Sequence, residues 1–419
     1  MTTATLWLPK SRVEYSHGRS RYIKVLMVSD VDVLIAGGGP AGLAAAESAA
    51  RKGASVAVFE KNSEIGSPTR TSGGSFIRDL EELGIPQHLY HPVRVCHFIS
   101  PKRRARFEYH EPLACGLDVR RTYQFLAQRA IVAGAVIFPA TSVLDLVLEQ
   151  GQVVGARIKT FRGKELCVTS RVLIDATGYR AGLLKQAGVM QGYERFGVGA
   201  EYDLYAPNYN QDEIVLIVGS VVAPSGYAWA LPYGEHRVRV GVGVIHADSD
   251  ANPQDYLERL VENAGQFGMD LRGAQPVEFH TGLIPSDGMP ERFTGNGIMG
   301  AGDAAGQPST LLGEGIRWAM WAGSMAGEVA GEAVAARDFS AGFLKRYEKR
   351  WRSKHGTNLR IAAEINRRIA RWSDDRWDEG TETLSRLTPW QFNQALRTEL
   401  VGIWAFQAGA RELWKRVGL

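Results

Sequence analysis

The segment Val31-Asp32-Val33-Leu34-Ile35-Ala36-Gly37-Gly38-Gly39-Pro40-Ala41-Gly42 decides the fold of this 419-residue chain. Its first half is a nearly continuous apolar run, which is typical of a buried parallel strand. The glycines follow at once and open a helix of small residues that runs from Leu43 to Ala50. This order of strand, Gly-x-Gly-x-x-Gly turn and helix predicts a Rossmann-type dinucleotide site, with the pyrophosphate at the helix N-terminus.

Each glycine of the turn has its own expected role. Gly37 makes the tight turn, Gly39 lets the backbone approach the pyrophosphate, and Gly42 lets the helix pack closely on the strand. A second apolar strand, which begins at Ser55, ends in Glu60, 18 residues beyond Gly42. An acid at this place accepts hydrogen bonds from an adenosine ribose. Strand, turn, helix and acid together favour a nucleotide site over a plain glycine turn.

Two further glycine-containing segments lie far downstream. The buried strand at 170–175 ends in Ala-Thr-Gly, and the segment 297–306 reads Gly-Ile-Met-Gly-Ala-Gly-Asp-Ala-Ala-Gly. They resemble the conserved turn and the second FAD motif of flavoproteins of the two-dinucleotide-domain type. The resemblance implies that Asp303 binds the ribityl or pyrophosphate part of FAD, the alternative being an ordinary turn aspartate. The run 312–316 and the helix that it opens resemble the flavin-capping helix of the same group.

A third motif indicates the family. Pro224-Ser225-Gly226-Tyr227-Ala228-Trp229-Ala230-Leu231-Pro232 resembles the Pro-x-x-Tyr-x-Trp-x-Phe-Pro signature of geranylgeranyl reductases, with Leu231 in place of phenylalanine. The resemblance extends from about residue 29 to the C-terminal region and implies a p-hydroxybenzoate-hydroxylase-like fold. It also implies that reduced FAD transfers a hydride to an isolated double bond of a prenyl chain. Tyr227 and Trp229 are then the candidate catalytic residues, lining an apolar tunnel. The alternative is that both rings simply pack in a core, on one face of a strand.

The motifs and the resemblance together imply a set of cofactor-binding residues. They are Gly37, Gly39, Pro40, Ala41, Gly42, Glu60, Lys61, Arg70, Arg120, Gly178, Gly302, Asp303, Pro308, Gly313, Gly315 and Ile316. Arg120 is included, in preference to Arg121, because its segment resembles the arginine-bearing helix that touches FAD in this group. One departure concerns the loop at 66–74, where many family members carry a cysteine and this chain has Thr71 or Ser72. The proton donor is therefore left open.

These patterns predict an α/β protein with a Rossmann-type FAD domain, an antiparallel-sheet substrate domain and a C-terminal helical region. The FAD domain is discontinuous, because its motifs flank segments of alternating apolar residues at 196–245 and 276–285. The expected boundaries are 29–90, 110–185 and 290–340 for the FAD domain, 91–109 and 186–289 for the substrate domain, and 341–419 for the helical region. Residues 1–28 are expected to form a disordered extension, with Met27 as a candidate start.

Composition argues against several other classes. No apolar run reaches the roughly 18 residues that span a bilayer, and the first 28 residues lack the apolar segment of a secretory signal. Cys96, Cys115 and Cys167 are scattered without metal or redox spacing, which suits a reducing cytoplasm. The chain has no His-x-x-x-His pattern and no serine-nucleophile elbow, so we expect no metal centre and no hydrolase. We expect a cytoplasmic protein.

Positive charge and tryptophan are concentrated towards the C-terminus. Residues 341–419 hold 16 Lys/Arg against 9 Asp/Glu, and eight of the ten tryptophans lie from Trp318 onward. Basic helices with tryptophan suit the anionic inner face of a membrane, which favours peripheral association. They suit an amphipathic helical cap over the core equally well. No nucleic-acid-binding motif accompanies the charge, so nucleic acid is not an expected partner.

The electron donor is less clearly indicated. No second Gly-x-Gly-x-x-Gly unit follows a strand elsewhere in the chain, so no dedicated NADPH domain is predicted. We expect either NADPH bound transiently in a surface groove or a ferredoxin-like protein, and slow reduction by NADPH alone. The basic run Lys102-Arg103-Arg104-Ala105-Arg106 predicts a solvated hairpin, with contact to NADPH phosphates as the alternative.

Two other functions compete with prenyl reduction. The first is an FAD-dependent monooxygenase or halogenase of the same fold, acting on an aromatic or polyketide-like substrate, because a fold does not determine its reaction. The Gly-x-Trp-x-Trp-x-Ile-Pro motif of flavin-dependent tryptophan halogenases is absent, since Trp229 is the single tryptophan of the corresponding segment. The second is a flavin-binding partner without catalysis, against which the intact capping run at 312–316 argues.

Overall fold

The computed structural model describes residues 28–401. The predicted extension at 1–28, apart from Val28, and the part of the predicted helical region beyond 401 lie outside these residues. The described strands are β1 (Asp30–Ala36), β2 (Val56–Phe59), β3 (Gly74–Phe76), β4 (Tyr90–Val93), β5 (Val95–Ile99), β6 (Arg104–Glu108), β7 (Ala114–Leu117), β8 (Val136–Phe138), β9 (Ser142–Glu149), β10 (Gln152–Lys159), β11 (Glu165–Asp175), β12 (Phe196–Tyr205), β13 (Glu213–Gly219), β14 (Ala223–Gly234), β15 (Arg237–His246), β16 (Gln275–Pro285), β17 (Thr294–Gly295) and β18 (Ile298–Gly300). The α-helices are α1 (Pro40–Arg51), α2 (Ile77–Glu82), α3 (Val119–Ala133), α4 (Gly182–Gln186), α5 (Pro253–Glu262), α6 (Ile316–Ala336), α7 (Ala341–Trp351), α8 (Thr357–Ile369), α9 (Asp374–Leu384) and α10 (Pro389–Leu396).

The first sheet is the dinucleotide layer. Its main path runs β17-β18-β11-β1-β2-β8, and β9 and β10 extend it as a meander beside β11. The pairs from β18 to β8 are parallel, so the carboxyl ends of these strands meet at one edge of the sheet. Both faces are covered, since Val33 and Ile35 pack against helices and Leu34 packs against the meander. The apolar run of β1 follows from burial on both sides.

Helices α1 and α6 pack closely over this sheet because their contact surface carries small residues. A Cβ atom added to Gly323 would lie 2.0 Å from the carbonyl oxygen of Ala41, and one added to Gly327 would lie 2.2 Å from that of Ala45. The backbones therefore approach to a distance that a larger side chain forbids. This packing holds the N-terminus of α1 and the start of α6 on the same side of the molecule.

The second sheet has seven strands in the order β16-β12-β15-β14-β13-β5-β6. Every neighbouring pair is antiparallel except β5 and β13. One face packs on Leu257 and Leu260 of α5. The other face turns towards the dinucleotide layer and the C-terminal helices. The predicted fold class, an α/β flavoprotein fold with an antiparallel-sheet domain and C-terminal helices, is confirmed.

A small sheet of β3, β7 and β4 joins the two large ones, and no motif predicted it. It takes strands from both sides of the sequence boundary expected near residue 90. The helices α7 and α8 are connected by a π-helical turn, Arg352–Gly356, without a break in the chain's helical course. Within residues 28–401 no helix is both long and apolar enough to span a membrane.

The predicted hairpin at 102–106 is present between β5 and β6. Its basic side chains form ion pairs with acidic residues of α9. Lys102 Nζ lies 2.8 Å from Asp375, and the Lys102 amide donates to Asp378 at 2.8 Å. Arg103 lies 3.8 Å from Glu382, also on α9. The basic run therefore contacts the acidic face of a C-terminal helix.

Candidate functional site: a dinucleotide cleft that opens onto a sheet face

The glycine turn after β1 combines two crowded positions with one open position. Gly37 has a φ of +109°, and a Cβ there would lie 2.3 Å from the carbonyl oxygen of Ala176. A Cβ on Gly42 would lie 2.0 Å from the Gly37 carbonyl oxygen, so this glycine supports the turn from behind. Gly39 precedes the N-terminus of α1, and a Cβ on it would meet no atom within 4 Å. The helix N-terminus therefore borders free space, as an anion-binding turn requires.

Glu60 follows β2 at the rim of the same cleft. Its two carboxylate oxygens accept hydrogen bonds from the amides of Gly38 and Asn62, at 2.7 and 2.8 Å. The side chain is buried and lines the cavity. These bonds hold the carboxylate beside the glycine turn, where a ribose bound on that turn would reach it.

Asp303 faces the cleft from the opposite side, after β18. Burial raises the pKa of its carboxyl group to about 7. No donor within residues 28–401 hydrogen-bonds to this carboxylate. Gly315 is its neighbour, since a Cβ on Gly315 would lie 3.4 Å from Asp303 Oδ1. The carboxylate is half-buried and lines the cavity, so its acceptor positions are open to a hydroxyl donor of a bound molecule. This arrangement fits the ribityl part of FAD, which has hydroxyl donors, and fits the pyrophosphate part less well, because that part offers only acceptors.

A single cavity of about 950 Å³ connects these groups. Most of the predicted cofactor residues line it, namely Gly37, Gly39, Pro40, Ala41, Glu60, Lys61, Arg70, Gly178, Gly302, Asp303, Gly313, Gly315 and Ile316. Two of the others support the lining from behind. Gly42 lies under the turn, and Pro308 lies 3.8 Å from the place that a Cβ on Gly315 would take.

The structure does not bring Arg120 into the lining. Its guanidinium binds Glu64 through two hydrogen bonds, of 2.8 and 2.6 Å, and half of the side chain is exposed. The reason is a partner that lies 56 positions earlier in the chain, on the loop that faces α3. Tyr123, one turn further along α3, lines the cavity in its place, and nothing in the sequence singled it out.

Tyr227 and Trp229 form the wall of the cavity on β14. Their ring centroids lie 5.5 Å apart, as expected for i and i+2 on one face of a strand. The Tyr227 hydroxyl donates to the Leu312 carbonyl oxygen, and burial raises the pKa of this phenol. The wall is thereby attached to the turn that precedes α6.

The Trp229 indole lies flat on the sheet because the neighbouring strand carries glycines. A Cβ on Gly241 would lie 2.3 Å from the indole, and one on Gly243 would lie 3.3 Å from it. The indole N–H donates to Glu201 at 2.7 Å. Glycines in a strand interior weaken the strand unless a side chain packs on them. Here the Trp229 ring packs on both glycines.

Two acid–base residues that sequence reasoning missed, Glu201 and His280, also line the cavity. They are buried and lie on β12 and β16, with His280 Nδ1 3.2 Å from Glu201 Oε1. Burial lowers the pKa of His280, but hydrogen bonds to Glu201 and Glu278 outweigh that effect and raise it. The sequence shows only one charged residue within each of two separate strands. Their pairing depends on the order of the strands in the sheet, so no pattern in the sequence predicts it.

The far end of the cavity comes from the C-terminal helices, and its lining is mostly apolar but includes Asn366, Arg376, Glu379 and Thr383. Lining side chains on and between α8, α9 and α10 are Ile365, Ile369, Trp372, Trp377, Phe392 and Leu396. Among the other tryptophans, Trp318, Trp321 and Trp351 pack around His355, and burial lowers the pKa of that histidine to about 4. Trp390 is the exposed one among the described tryptophans of this region, with 58% of its surface accessible.

Comparison with known proteins agrees with this geometry. The family model described as FAD dependent oxidoreductase matches residues 32–234, and the model of the geranylgeranyl reductase catalytic domain matches residues 196–284. A digeranylgeranylglycerophospholipid reductase of Methanothermobacter thermautotrophicus is 33% identical over 357 residues, which are 83% of this chain and 90% of the relative. The corresponding reductase of Methanocaldococcus jannaschii is 33% identical over 361 residues, 84% of this chain and 90% of the relative.

Solved structures show the same fold. A geranylgeranyl bacteriochlorophyll reductase-like protein from Thermoplasma acidophilum superposes with a TM-score of 0.82 at 26% identity, covering 93% of this chain and 100% of its own. The flavin-dependent brominase Bmp2 superposes with a TM-score of 0.66 at 19% identity, covering 93% of this chain and 96% of its own, which is a likeness of fold alone. The chain belongs to the geranylgeranyl reductase family of FAD-dependent oxidoreductases.

Proposed function

We propose that this protein reduces isolated C=C double bonds of a prenyl chain with FAD as its cofactor. The observation that carries the proposal is the continuity of the cavity. It begins at the glycine turn, passes the wall of Tyr227 and Trp229, and ends among apolar side chains of the C-terminal helices. A cofactor and a long hydrocarbon chain therefore have adjoining places in one cleft. The names of the relatives, digeranylgeranylglycerophospholipid reductases, support a prenyl lipid as the substrate class.

The residues that would hold FAD are those that line the dinucleotide end of the cleft. The amides at the start of α1 receive the pyrophosphate, Glu60 accepts from the adenosine ribose, and Asp303 accepts from a ribityl hydroxyl. Reduced FAD supplies a hydride. Everything else that the reaction requires, namely placement of the alkene, exclusion of water and delivery of a proton, belongs to the protein.

An isolated alkene offers no carbonyl group to polarise, so catalysis depends on placement and on a dry site. Tyr227 and Trp229 are suited to placement, because both are held by hydrogen bonds at their polar ends and both line the cavity. Each buried CH₂ contributes about 0.8 kcal/mol. A chain of about twenty carbons thus binds strongly without contact to its head group, which suits geranylgeranyl diphosphate, an archaeal-type ether lipid or the side chain of menaquinone.

We also propose how electrons and substrate arrive. NADPH bound in a surface groove, or a ferredoxin-like protein, reduces the flavin, and reduction by NADPH alone is slow. The prenyl lipid enters from the inner face of a membrane with which the protein associates peripherally. The basic balance of residues 341–419 and the exposed Trp390 support this approach. Rapid, saturable reduction at micromolar NADPH would argue for a direct NADPH site instead.

The decisive experiment is an anaerobic incubation of the FAD-loaded protein with dithionite and a geranylgeranyl lipid, followed by mass analysis of the lipid. Prenyl reduction adds two hydrogens per double bond and needs no oxygen. The monooxygenase or halogenase alternative predicts no change without oxygen, and a product that carries oxygen or halogen when oxygen is admitted. A flavin-binding partner without catalysis predicts bound FAD and unchanged lipid under both conditions.

A further inference from the structure

Four residues form a row across adjacent strands of the seven-stranded sheet. In the register of β14, β15, β12 and β16, Trp229 pairs with Gly241, Gly241 with Glu201, and Glu201 with His280. The row ends on β16, which is an edge strand. Gly241 provides the space across which the indole reaches Glu201, since a Cβ there would collide with the ring.

Hydrogen bonds connect this row and extend it to the surface. Glu201 Oε2 accepts from the Trp229 indole at 2.7 Å, and Glu201 Oε1 lies 3.2 Å from His280 Nδ1. The other ring nitrogen, Nε2, lies 2.8 Å from Glu278 Oε2. The side chains of Glu201 and His280 are each 5% exposed, whereas that of Glu278 is 48% exposed. The chain of contacts thus runs from the cavity wall to solvent.

The geometry determines the protonation of His280. Both ring nitrogens face carboxylate oxygens, which accept hydrogen bonds, and only the imidazolium form donates from both nitrogens. Its pKa is raised accordingly, while the hydrogen bond from His280 lowers the pKa of Glu278. The neighbouring charges from other elements are Arg239 on β15, which opposes the imidazolium, Arg237 on β15, which acts on Glu278, and Arg120 on α3, which also lies near Glu278.

The same sheet face carries the contacts that border the flavin end of the cleft. Residues two positions away along each strand share this face. Arg239 donates to the Ser72 carbonyl oxygen at 2.7 Å, and a Cβ on Gly282 would lie 2.5 Å from the Arg70 carbonyl oxygen. Tyr227 binds the Leu312 carbonyl on the other side. The row therefore lies between the loop at 66–74, which contributes Arg70 to the cavity lining, and the turn before α6.

We propose that Glu278, His280 and Glu201 deliver the proton for the reduction, a step that rests on the proposed function. The Glu201 carboxylate, after it takes the Nδ1 proton of His280, protonates one alkene carbon, and reduced FAD, when bound, would supply a hydride to the other. The C=C π bond breaks, two C–H bonds form, and the alkene gains the two electrons that the flavin loses. His280 passes its Nδ1 proton to Glu201 and recovers a proton from solvent beside Glu278.

In this scheme Trp229 is a positioning residue for the proton donor, because its N–H holds one Glu201 oxygen and leaves the other to His280. The relay also accounts for the loop at 66–74. Thr71 and Ser72 in this loop also line the cavity, but their hydroxyl groups are far weaker acids than a carboxyl group or an imidazolium. The proton enters through the sheet instead of the loop.

The test compares Glu201→Gln, Glu201→Ala, His280→Gln and Glu278→Gln in the FAD-loaded protein. Glutamine at position 201 still accepts from Trp229 but carries no transferable proton. The matched control is His97→Gln, since His97 lies in the same sheet, 3.5 Å from Glu213, and does not line the cavity. The measurement is the rate at which geranylgeranyl diphosphate or an ether lipid reoxidises the reduced flavin without oxygen, as a function of pH.

We expect equal flavin content in all variants, and rates about 100-fold lower in both Glu201 variants, as for loss of a general acid. In the unchanged protein, the rate of flavin reoxidation by the lipid should fall as the pH rises through the raised pKa of His280. The His280→Gln variant should lose this pH dependence. His97→Gln should resemble the unchanged protein. Normal turnover and an unchanged pH profile in Glu201→Gln would show that Glu201 only positions Trp229 and would overturn the relay.

A second measurement does not depend on turnover. In protein labelled with ¹⁵N-histidine, the signal lost in His280→Gln should report two protonated nitrogens at neutral pH, and Glu278→Gln should lower its pKa. A neutral His280 at neutral pH would overturn the relay even if the lipid is reduced. Failure of the unchanged protein to reduce any prenyl lipid, with the imidazolium intact, would instead overturn the proposed function and leave the relay without its acceptor.

Discussion

Asp79 and Arg397 lie 318 positions apart and form a buried ion pair, with Arg397 Nη2 2.5 Å from Asp79 Oδ1. Their side chains are 1% and 6% exposed. Arg317 donates to the other Asp79 oxygen at 2.9 Å and to Glu314 at 2.8 Å. One carboxylate therefore connects α2, the start of α6 and the end of α10.

Asp79→Ala should destabilise the protein, because it leaves two guanidinium groups buried without their shared partner. Breaking a buried pair in this way costs about 3–5 kcal/mol. The measurement is the free energy of unfolding in guanidinium chloride. Asp270→Ala is the control, since Asp270 pairs with Arg272 at the surface and its loss should leave the unfolding curve unchanged. Equal curves for the unchanged protein and Asp79→Ala would contradict the structural role of the pair.

Gly39→Val and Asp303→Ala should both yield flavin-poor protein. A side chain at 39 meets no protein atom within 4 Å but occupies the path of the pyrophosphate, and removal of the Asp303 carboxylate removes the acceptor for a ribityl hydroxyl. Flavin content is measured by absorbance after gel filtration. Gly265→Val is the control, because a side chain there is equally free of contacts and lies outside the cavity. Full occupancy in both site variants would exclude FAD from this cleft.

In flavin-free protein Asp303 should contribute a loss of stability as the pH rises from about 4 to about 7, whereas His355, with its lowered pKa, contributes in the opposite direction. Burial raises the pKa of Asp303 to about 7 from its ordinary 3.8, so the folded state binds more protons than the unfolded chain in this window. An excess of protons in the folded state makes the free energy of unfolding fall with rising pH. Asp303→Asn should reduce the slope of the melting temperature against pH. A part of the slope should remain, because burial also raises the pKa of Glu314. An identical slope in the variant would place the titration elsewhere.

Trp229→Ala should lower turnover much more than it lowers flavin content. The substitution removes the ring that packs on Gly241 and Gly243, and it frees Glu201 from its 2.7 Å hydrogen bond. Trp229→Phe separates the two effects, since it keeps an aromatic wall but no donor. Tyr227→Phe loses one hydrogen bond to a carbonyl group, worth about 1 kcal/mol, and should cost about fivefold in rate. Parallel losses of FAD and turnover in Trp229→Ala would show a role in cofactor binding instead.

The dinucleotide half of the cleft follows from local sequence. Gly37 takes a positive φ, which glycine adopts without strain, and the continuous apolar run of β1 predicts burial on both faces, so a short stretch of chain indicates both. The shared face of Tyr227 and Trp229 likewise follows from the period of a strand. These are properties of neighbouring residues, which sterics and periodicity determine without knowledge of the rest of the chain.

What only the tertiary structure decided is which distant groups meet. The segment around Arg120 resembles one that touches FAD in related proteins. In the structure, however, the Arg120 guanidinium binds Glu64, on a loop 56 positions earlier in the chain. Glu201 and His280 gained their pairing from the order β16-β12-β15-β14, which no pattern within a single strand encodes. Local sequence determines the conformation and the faces of each element, but the partners of a buried charge depend on sheet order and register. Those arise from the packing of the whole chain.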